Sequence, residues 1–249
     1  MSSDSLSYIR PTWPAPSSIH AYVSTRMGGV SREPFDGLNL GLHVQDEAAL
    51  VHRNRQLFAS CIDMPDTAVW LNQVHGIDVI SLPCEISPDS ADAAVSREIN
   101  QVCAVLTADC LPVFFCNQSG AQVAVAHAGW RGLCSGILES TLAQFDTNDN
   151  VMAWLGPAIG PNAFEVGAEV REAFMAISTE ASQAFRQVEN SDKWLGDLYL
   201  LARQRLTAAG VSQIYGGEFC TFTDNERFYS YRRDGKTGRM ASVIWIGDK

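Results

Sequence analysis

The most apolar part of the chain lies at its centre. Residues 102–116 and 122–127 are dense in Val, Phe, Ala and Cys, and the polar sequence Asn-Gln-Ser-Gly at 117–120 separates them. Two such runs joined by a short polar turn are typical of an antiparallel hairpin. If 117–120 forms the turn, Cys116 pairs with Ala121, and the numbers of facing residues sum to 237 throughout the hairpin.

Helical and strand-like periods follow one another through the rest of the chain. The predicted strands cover residues 20–26, 68–75, 78–82, 151–155, 211–219 and 228–245, and the predicted helices cover 46–62, 130–145, 167–177 and 197–209. Asp46 is the predicted cap of the first helix, and Gly210 ends the last one. Residues 1–18, rich in Ser and Pro, are predicted to form an extended lead-in. Because no internal repeat or low-complexity linker divides the chain, we expect one α+β domain over residues 1–249.

The charge balance narrows the classes of partner. The chain has 18 Lys and Arg against 28 Asp and Glu, which gives a net charge of −10. Because there is no excess of cations to neutralise phosphates, we expect binding to neither nucleic acid nor an anionic membrane. A local basic pocket for one small anion is compatible with this balance.

The sequence shows no sign of export. Its first residues, MSSDSLSYIRPTWPAPSS, lack the basic start and apolar run of a secretory signal, and no stretch approaches about 20 consecutive apolar residues. The seven cysteines, at 61, 84, 103, 110, 116, 134 and 220, are odd in number and scattered, unlike a disulfide framework. We therefore expect a cytoplasmic protein with reduced thiols.

Two of the five histidines stand at predicted strand ends, next to small residues. These are His75 in Val-His-Gly and His127 in Ala-His-Ala-Gly. In the hairpin register given above, Cys110 faces His127 with Cβ atoms about 4.5–5.5 Å apart, close enough for both to bind one ion. Pro112 warns of an edge strand or bulge that would shift this register. The alternative interpretation of the pair is a buried free cysteine beside a core histidine.

Several blocks of the chain resemble the YfiH/laccase-domain family. They are STRMGGVS (24–31), LNLG (38–41), LNQVHG (71–76), LTADCLP (106–112), VAHAGWRG (125–132), LGPAIG (155–160) and YSYRRDG (229–235). The resemblance implies a four-layer α/β/β/α-like sandwich, that is, a single-domain multilayer sandwich of mixed, largely antiparallel β-sheets with flanking helices. It also implies a mononuclear zinc ion whose ligands fall on His75, Cys110 and His127.

The implied function is purine nucleoside chemistry. It comprises phosphorolysis of adenosine, inosine, guanosine and methylthioadenosine, and deamination of adenosine. Three protein ligands leave a fourth zinc position open, as in catalytic sites, and the ion lowers the pKa of a bound water toward ~7. The usual deaminase signature, H-x-E with P-C-x-x-C, is absent from the sequence. Asp109 is a further catalytic candidate, either orienting a ligand or acting as a base, and its alternative is a buried carboxylate bound to the backbone.

Other residues are candidates for holding the substrates. Arg26, near Gly28 and Gly29, and Arg131, at a helix start, are candidate phosphate donors, with surface ion pairing as the alternative for each. Asn39 and Gln73 are candidates for hydrogen bonds to the base or ribose. Tyr231 and Arg232 complete the set.

Three other functions remain open at this point. A copper-dependent polyphenol oxidase is one, although a multicopper site needs roughly ten histidines and the chain has five. Copper therefore stands as an alternative or adventitious metal. A Cys–His hydrolase or amidase that edits cell-wall precursors is the second, with Cys110 as nucleophile and His127 as base. A non-enzymatic binding module is the third, and the sequence leaves the oligomeric state open.

Overall fold

The computed structural model describes residues 6–84, 90–146 and 150–248. Its strands are β1 (Tyr8–Ile9), β2 (Ile19–Ser24), β3 (Val69–Trp70), β4 (Val79–Leu82), β5 (Ala93–Ser96), β6 (Cys103–Thr107), β7 (Leu111–Asn117), β8 (Val123–Ala128), β9 (Val151–Leu155), β10 (Glu165–Val166), β11 (Phe185–Gln187), β12 (Trp194–Gly196), β13 (Gln213–Gly216) and β14 (Met240–Ile246). Its helices are α1 (Ala48–Cys61), α2 (Trp130–Ser135), α3 (Ile137–Leu142), α4 (Ala168–Met175), α5 (Leu198–Ala208) and α6 (Tyr231–Asp234), with 3-10 turns at Leu42–Val44 and Thr179–Ala184.

Two large sheets form the centre of the described part of the molecule. The first has the strand order β1-β2-β14-β6-β3, and the second has the order β13-β9-β7-β8-β5-β4. The interior pairs are antiparallel, whereas the parallel pairs β3–β6, β4–β5 and β9–β13 lie at sheet edges. A small third sheet has the order β10-β12-β11. The predicted mixed, largely antiparallel α+β fold is therefore confirmed.

Both faces of the central strands are buried, which gives the fold its layers. On β7, Phe114 and Cys116 pack in the core between the two large sheets, while Val113 and Phe115 pack in a second core that includes residues of α3, α4 and α5. This alternation follows the two-residue period of a strand. A third core joins the outer face of the first sheet to α1 through Phe58. The resulting order is α1, first sheet, second sheet and the other long helices, which is the four-layer sandwich.

Several predicted elements differ from the observed ones. The predicted strand 102–116 is wrong as one element, because β6 and β7 belong to different sheets and residues 108–110 cross between them. The predicted helix 130–145 is interrupted at Gly136, whose φ of 109° is incompatible with helix. Residues 228–239 hold α6 rather than a strand.

The start of α1 and the N-terminal lead-in also differ from the prediction. Glu47, not Asp46, is the N-cap residue of α1, and the Asp46 carboxylate instead accepts hydrogen bonds from Ser31 Oγ and Asn39 Nδ2. The lead-in 1–18 contains β1, which pairs with β2, and its residues 1–5 lie outside the described part. Among the described residues, no helix is both long and apolar enough to cross a bilayer.

Candidate metal centre

The three predicted ligands lie at one end of the gap between the large sheets. Residues 71–78 cross from β3 in the first sheet to β4 in the second, and residues 108–110 cross from β6 to β7. His75 lies on the first crossover, Cys110 ends the second, and His127 is next to the last residue of β8. Side chains two residues apart on a strand share a face. Cys110 therefore lies on the face of β7 that carries Phe114 and Cys116, which face the first sheet. His127 likewise lies on the face of β8 that carries Val125. Cys110 and His127 therefore point toward the first sheet, and His75 meets them there.

The hairpin register differs from the predicted one by two residues. Pro112, rather than Cys110, lies opposite His127. The pairing extends one residue further than predicted, because the Asn117 N–H donates to the Gln122 carbonyl at 3.2 Å. The turn therefore comprises residues 118–121. A shift of two residues leaves every side chain on its original face. Cys110 is consequently a diagonal neighbour of His127 on the same side, and the predicted encounter survives the wrong register.

The donor atoms of His75, Cys110 and His127 all lie within 4.8 Å of one another. Cys110 Sγ is 3.7 Å from His75 Nε2, and the two imidazole rings meet edge to face with centroids 4.8 Å apart. His75 is exposed, Cys110 is half-buried and His127 is buried, so one side of the cluster faces solvent. Two imidazole nitrogens and a thiolate form the donor set of a three-ligand zinc site with an open fourth position.

Gly129 makes room for this cluster. A Cβ atom at this position would lie 2.7 Å from Cδ2 of His75 and 3.0 Å from Sγ of Cys110. The Gly129 φ of −61° is one that any residue adopts. The missing side chain, rather than backbone freedom, is therefore what the site requires here.

Asp92, which the sequence analysis missed, supports two of the ligands. Its carboxylate is fully buried and accepts a 2.7 Å hydrogen bond from Nδ1 of His127. It also accepts from the backbone N–H groups of Val74, His75 and Gly76, at 3.1, 2.9 and 2.7 Å. The sequence signal was a lone acidic residue at the start of an otherwise apolar strand, Ala93–Ser96.

Cys110 and His127 shift each other's pKa in opposite directions. Desolvation by itself raises the pKa of Cys110, but the charge of His127 and hydrogen bonds from both histidines outweigh it and lower the pKa to about 6. For His127, desolvation lowers the pKa, but the Cys110 charge and the Asp92 hydrogen bond outweigh it and raise the pKa to about 9. A thiolate thus faces an imidazolium at neutral pH. Thiolate is also the form of cysteine that binds metals.

Asp109 faces away from the ligands. Its carboxylate accepts hydrogen bonds from Thr221 Oγ1 at 2.6 Å, Ser230 Oγ at 3.0 Å and the Arg232 backbone N–H at 2.7 Å. Its backbone has a φ of 88°, in the left-handed region, on the crossover that ends in Cys110. These contacts tie the Cys110 segment to the start of α6.

A cavity of about 620 Å³ opens beside the cluster and includes all three ligands in its wall. Its volume is within the range of small-molecule sites. His43, Arg55, Trp70, Tyr231 and Arg239 also line it. The described lining residues include no Asp or Glu, so two guanidinium groups give the cavity a positive wall inside an acidic protein. Sequence reasoning missed Arg55 and Arg239, because neither lies in a motif that marks an anion site.

The ionisation of the cationic wall follows from its surroundings. Desolvation lowers the pKa of Arg55 to about 10, and its guanidinium stacks 3.9 Å above the Trp70 ring centroid. Desolvation, followed by the charges of Arg239 and Arg55, lowers the pKa of His43. At pH 7 the two arginines are therefore cationic and His43 is neutral.

Two polar side chains in the cavity wall, those of Gln73 and Thr107, differ in their hydrogen bonding. The Gln73 amide is paired with the backbone of Leu106, donating at 2.8 Å and accepting at 2.7 Å, so it fixes the crossover to β6. Thr107 is 2% exposed, and its hydroxyl has no hydrogen-bond partner among the described residues. An unpaired buried hydroxyl is costly, and its place in the cavity wall makes Thr107 a candidate for a hydrogen bond to a ligand.

The remaining predicted substrate residues lie outside the cavity wall. Asn39 is fully buried and bridges Gly41, Asp46 and the Arg239 backbone. Arg26 pairs with Asp36 at 2.9 Å and lies over the Tyr229 ring. Arg131 is exposed and stacks 4.4 Å from the Trp130 ring centroid, in a shallow groove that also includes Arg232. The structure thus gives Arg26 the ion pair that was its alternative interpretation.

Comparison with known proteins agrees with this fold and identifies an α+β protein of the laccase-domain class. The model of the family described as multi-copper polyphenol oxidoreductase laccase matches residues 20–247. The chain therefore belongs to this family, as its sequence blocks predicted.

Curated relatives carry a different description. The chain is 56% identical over 240 residues to the purine nucleoside phosphorylase YfiH of Escherichia coli K12, covering 96% of this chain and 98% of the relative. It is 49% identical over 245 residues to a Pseudomonas aeruginosa protein also named purine nucleoside phosphorylase, covering 97% and 99%.

Solved structures support the fold. A DUF152-family protein of Neisseria meningitidis superposes with a TM-score of 0.90 at 45% identity, covering 97% of this chain and 99% of that one. YlmD of Geobacillus stearothermophilus superposes with a TM-score of 0.89 at 32% identity, covering 97% and 96%.

Proposed function

We propose that this chain is a zinc-dependent purine nucleoside phosphorylase. Its substrates would be adenosine, inosine, guanosine and methylthioadenosine, cleaved by phosphate to the free base and the sugar 1-phosphate, and it would also deaminate adenosine. The observation that carries the proposal is one cavity lined by both the His–Cys–His cluster and the cationic wall. Relatives named purine nucleoside phosphorylase, with nearly full coverage, support the same activity.

The residues present fit a zinc ion. Donor atoms within 4.8 Å of one another, a thiol held as thiolate and a carboxylate behind His127 are the features of a zinc site with an outer shell. His75, Cys110 and His127 would hold the ion. When bound, zinc acts as a Lewis acid and lowers the pKa of water, which is the chemistry that adenosine deamination requires.

The cationic wall would hold phosphate. In phosphorolysis a phosphate oxygen bonds to C1′ of the sugar as the bond from C1′ to N9 breaks, and the base leaves with that electron pair and takes up a proton. Arg239 and Arg55 are the cavity's guanidinium groups, and charge-assisted hydrogen bonds to phosphate are the strong ones. Neutral His43 lies close enough to both arginines for their charges to lower its pKa, and it offers a further hydrogen bond.

The nucleoside would occupy the aromatic part of the cavity. Tyr231 provides a flat aromatic surface for a purine ring and is 61% exposed at the opening. Thr107 would supply a hydrogen bond to the nucleoside through its unpaired hydroxyl. We place this activity in the cytoplasm, in keeping with the unpaired state of all seven cysteines, which lie within the described residues.

A nucleoside screen with the purified protein tests the proposal. Each of the four nucleosides is incubated with and without phosphate, and free base, sugar 1-phosphate and ammonia are measured. The proposal expects base release only with phosphate, and ammonia release from adenosine in both conditions. Absence of base release from all four nucleosides would contradict it.

The thiolate–imidazolium pair favours one second candidate, a Cys–His hydrolase that uses Cys110 as nucleophile. Chelation separates the two functions. A thiol hydrolase retains activity after zinc is removed and loses it on alkylation, whereas the proposed phosphorylase loses activity on chelation and regains it with zinc.

A further inference from the structure

The Asp92 carboxylate lies where two ligand segments meet. Asp92 directly precedes β5, and the β5–β8 pairing places it opposite His127. The His127 N–H donates to the Asp92 carbonyl at 2.7 Å, so the two backbones are fixed to each other. Side chains that face each other across antiparallel strands lie on the same side of the sheet. The carboxylate therefore reaches the imidazole without a change in the backbone.

The contact with His127 selects one form of its ring. An ionised carboxylate only accepts hydrogen bonds, so Nδ1 of His127 carries the proton in the 2.7 Å contact. The second ring nitrogen, Nε2, is left on the side of Cys110 and His75 and would be the nitrogen that binds the metal. Carboxylates commonly orient metal-binding histidines in this way.

The contacts with residues 74–76 fix the second histidine by a different route. Three consecutive backbone N–H groups point at the carboxylate. His75, in the middle, has a φ of 62°, in the left-handed region that a non-glycine residue keeps only where its surroundings hold it there. This conformation directs the His75 side chain toward Cys110, with Nε2 3.7 Å from Sγ.

We propose that Asp92 is the positioning residue of the metal centre, and that this single buried carboxylate sets the tautomer of His127 and the backbone of His75 together. The inference depends on the zinc site of the proposed function, but it does not depend on which nucleoside is cleaved. Asp109, the acidic residue beside Cys110, does not share this role, because its oxygens are bound to Thr221, Ser230 and Arg232.

The isosteric change Asp92→Asn separates positioning from mere packing. The amide oxygen, in the place of Oδ2, still accepts from the N–H groups of Val74 and Gly76. The amide nitrogen, in the place of Oδ1, donates to Nδ1 of His127 and leaves the His75 N–H without its acceptor. This forces the proton of a neutral His127 onto Nε2, the nitrogen that would bind the metal. Asp46→Asn is the matched control, since Asp46 also accepts hydrogen bonds from Ser31, Asn39 and a backbone N–H but contacts no ligand.

The experiment measures zinc affinity by competition with a chromophoric chelator, and the visible spectrum of the cobalt-substituted proteins. We expect Asp92→Asn to raise the zinc Kd about 10- to 100-fold and to shift the cobalt bands, and Asp46→Asn to change neither. Unchanged Kd and spectrum in folded Asp92→Asn would overturn the inference. If the wild-type protein itself binds no zinc, the proposed function fails as well.

A second measurement keeps the test independent of the variant's folding. In the zinc-loaded wild-type protein, nitrogen-15 NMR of the histidine rings reports which nitrogen carries the proton. The inference expects a protonated Nδ1 on His127, hydrogen-bonded and protected from exchange. A proton on Nε2, with Nδ1 bound to zinc, would overturn it.

Discussion

Sγ of Cys110 lies 3.7 Å from Nε2 of His75, although the two residues are 35 positions apart and lie on different crossovers between the sheets. A metal ion bound by both would tie the two crossovers together.

Cys110→Ala should remove most of the bound zinc. Metal analysis of the wild-type protein should find about one zinc per chain, since three donors lie within 4.8 Å of one another. The control is Cys61→Ala, which changes a half-buried free cysteine at the end of α1 and should leave the zinc content unchanged. Full zinc retention in Cys110→Ala would refute the ligand assignment.

Arg239→Gln should raise the KM for phosphate by about 10- to 100-fold, because hydrogen bonds to a charged group contribute about 1.5–3 kcal/mol. Arg239 lines the cavity, whereas Arg131 is exposed in a separate groove. Arg131→Gln is therefore the matched variant and should leave that KM unchanged. Steady-state kinetics with phosphate varied at saturating inosine decides between them, and the reverse ranking would assign phosphate to Arg131.

Thr107→Val should stabilise the fold and weaken the enzyme. Removing a buried hydroxyl that has no partner among the described residues should raise the free energy of unfolding by about 1 kcal/mol, while losing a substrate hydrogen bond should lower kcat/KM about 2- to 10-fold. Thr237 also has a buried, unpaired hydroxyl but does not line the cavity. Thr237→Val should stabilise the protein with no kinetic effect. Equal kinetics in the two variants would remove Thr107 from the substrate site.

In metal-free protein, the alkylation rate of Cys110 should depend on pH with a midpoint well below that of an ordinary cysteine. The imidazolium of His127 helps hold the Cys110 pKa at about 6, so the thiolate fraction rises as pH rises through that value instead of the usual 9.0. Burial raises the pKa of Cys103 and Cys116, which keeps them protonated as internal references. The rate of iodoacetamide alkylation, followed by peptide mass spectrometry against pH, measures this midpoint.

The same experiment in His127→Ala provides the control. Without the imidazolium, desolvation dominates and the midpoint should move upward, while zinc should protect Cys110 in the wild-type protein. A midpoint near 9 in metal-free wild-type protein would show that the thiolate–imidazolium pair does not form.

The central strands were predictable because the strand signal is local, whereas the four layers were implied by the family resemblance. Residues 111–117 and 123–128 alternate between two buried faces, and such runs are visible in the sequence. The break at 108–110 was not predictable from this signal, since the residues on both sides are equally apolar and a change of sheet leaves the hydrophobic pattern intact. The interruption of the second helix at Gly136 was signalled only by the glycine itself.

The proximity of the three predicted ligands was predictable, and the residues that hold them in place were not. His75, Cys110 and His127 lie in motifs with a recognisable order, and the face of Cys110 survived a register error of two residues because strands repeat every two. Asp92 and Arg239 reach the site only through tertiary contacts, across β5–β8 and from the start of β14. Arg131, by contrast, lies within the block VAHAGWRG (125–132) but is exposed outside the cavity.

Copper should support a separate and slower activity. Two imidazoles and a thiolate bind Cu(II) more tightly than zinc, so phenol oxidation should rise with added copper. Four-electron reduction of oxygen requires several coppers and roughly ten histidines, and the chain has five. The family description as a multicopper oxidase and the names of the relatives therefore lead to opposite expectations for the metal-exchanged protein.

The most direct test of the central claim measures both activities on one preparation whose zinc and copper contents are known. We predict that the copper-free zinc form releases purine base from nucleosides in the presence of phosphate, that chelation abolishes this release, and that added zinc restores it. Phenol oxidation should be negligible in that form and should track added copper. Fast phenol oxidation by copper-free protein, with no purine base released from any nucleoside, would contradict the proposed function.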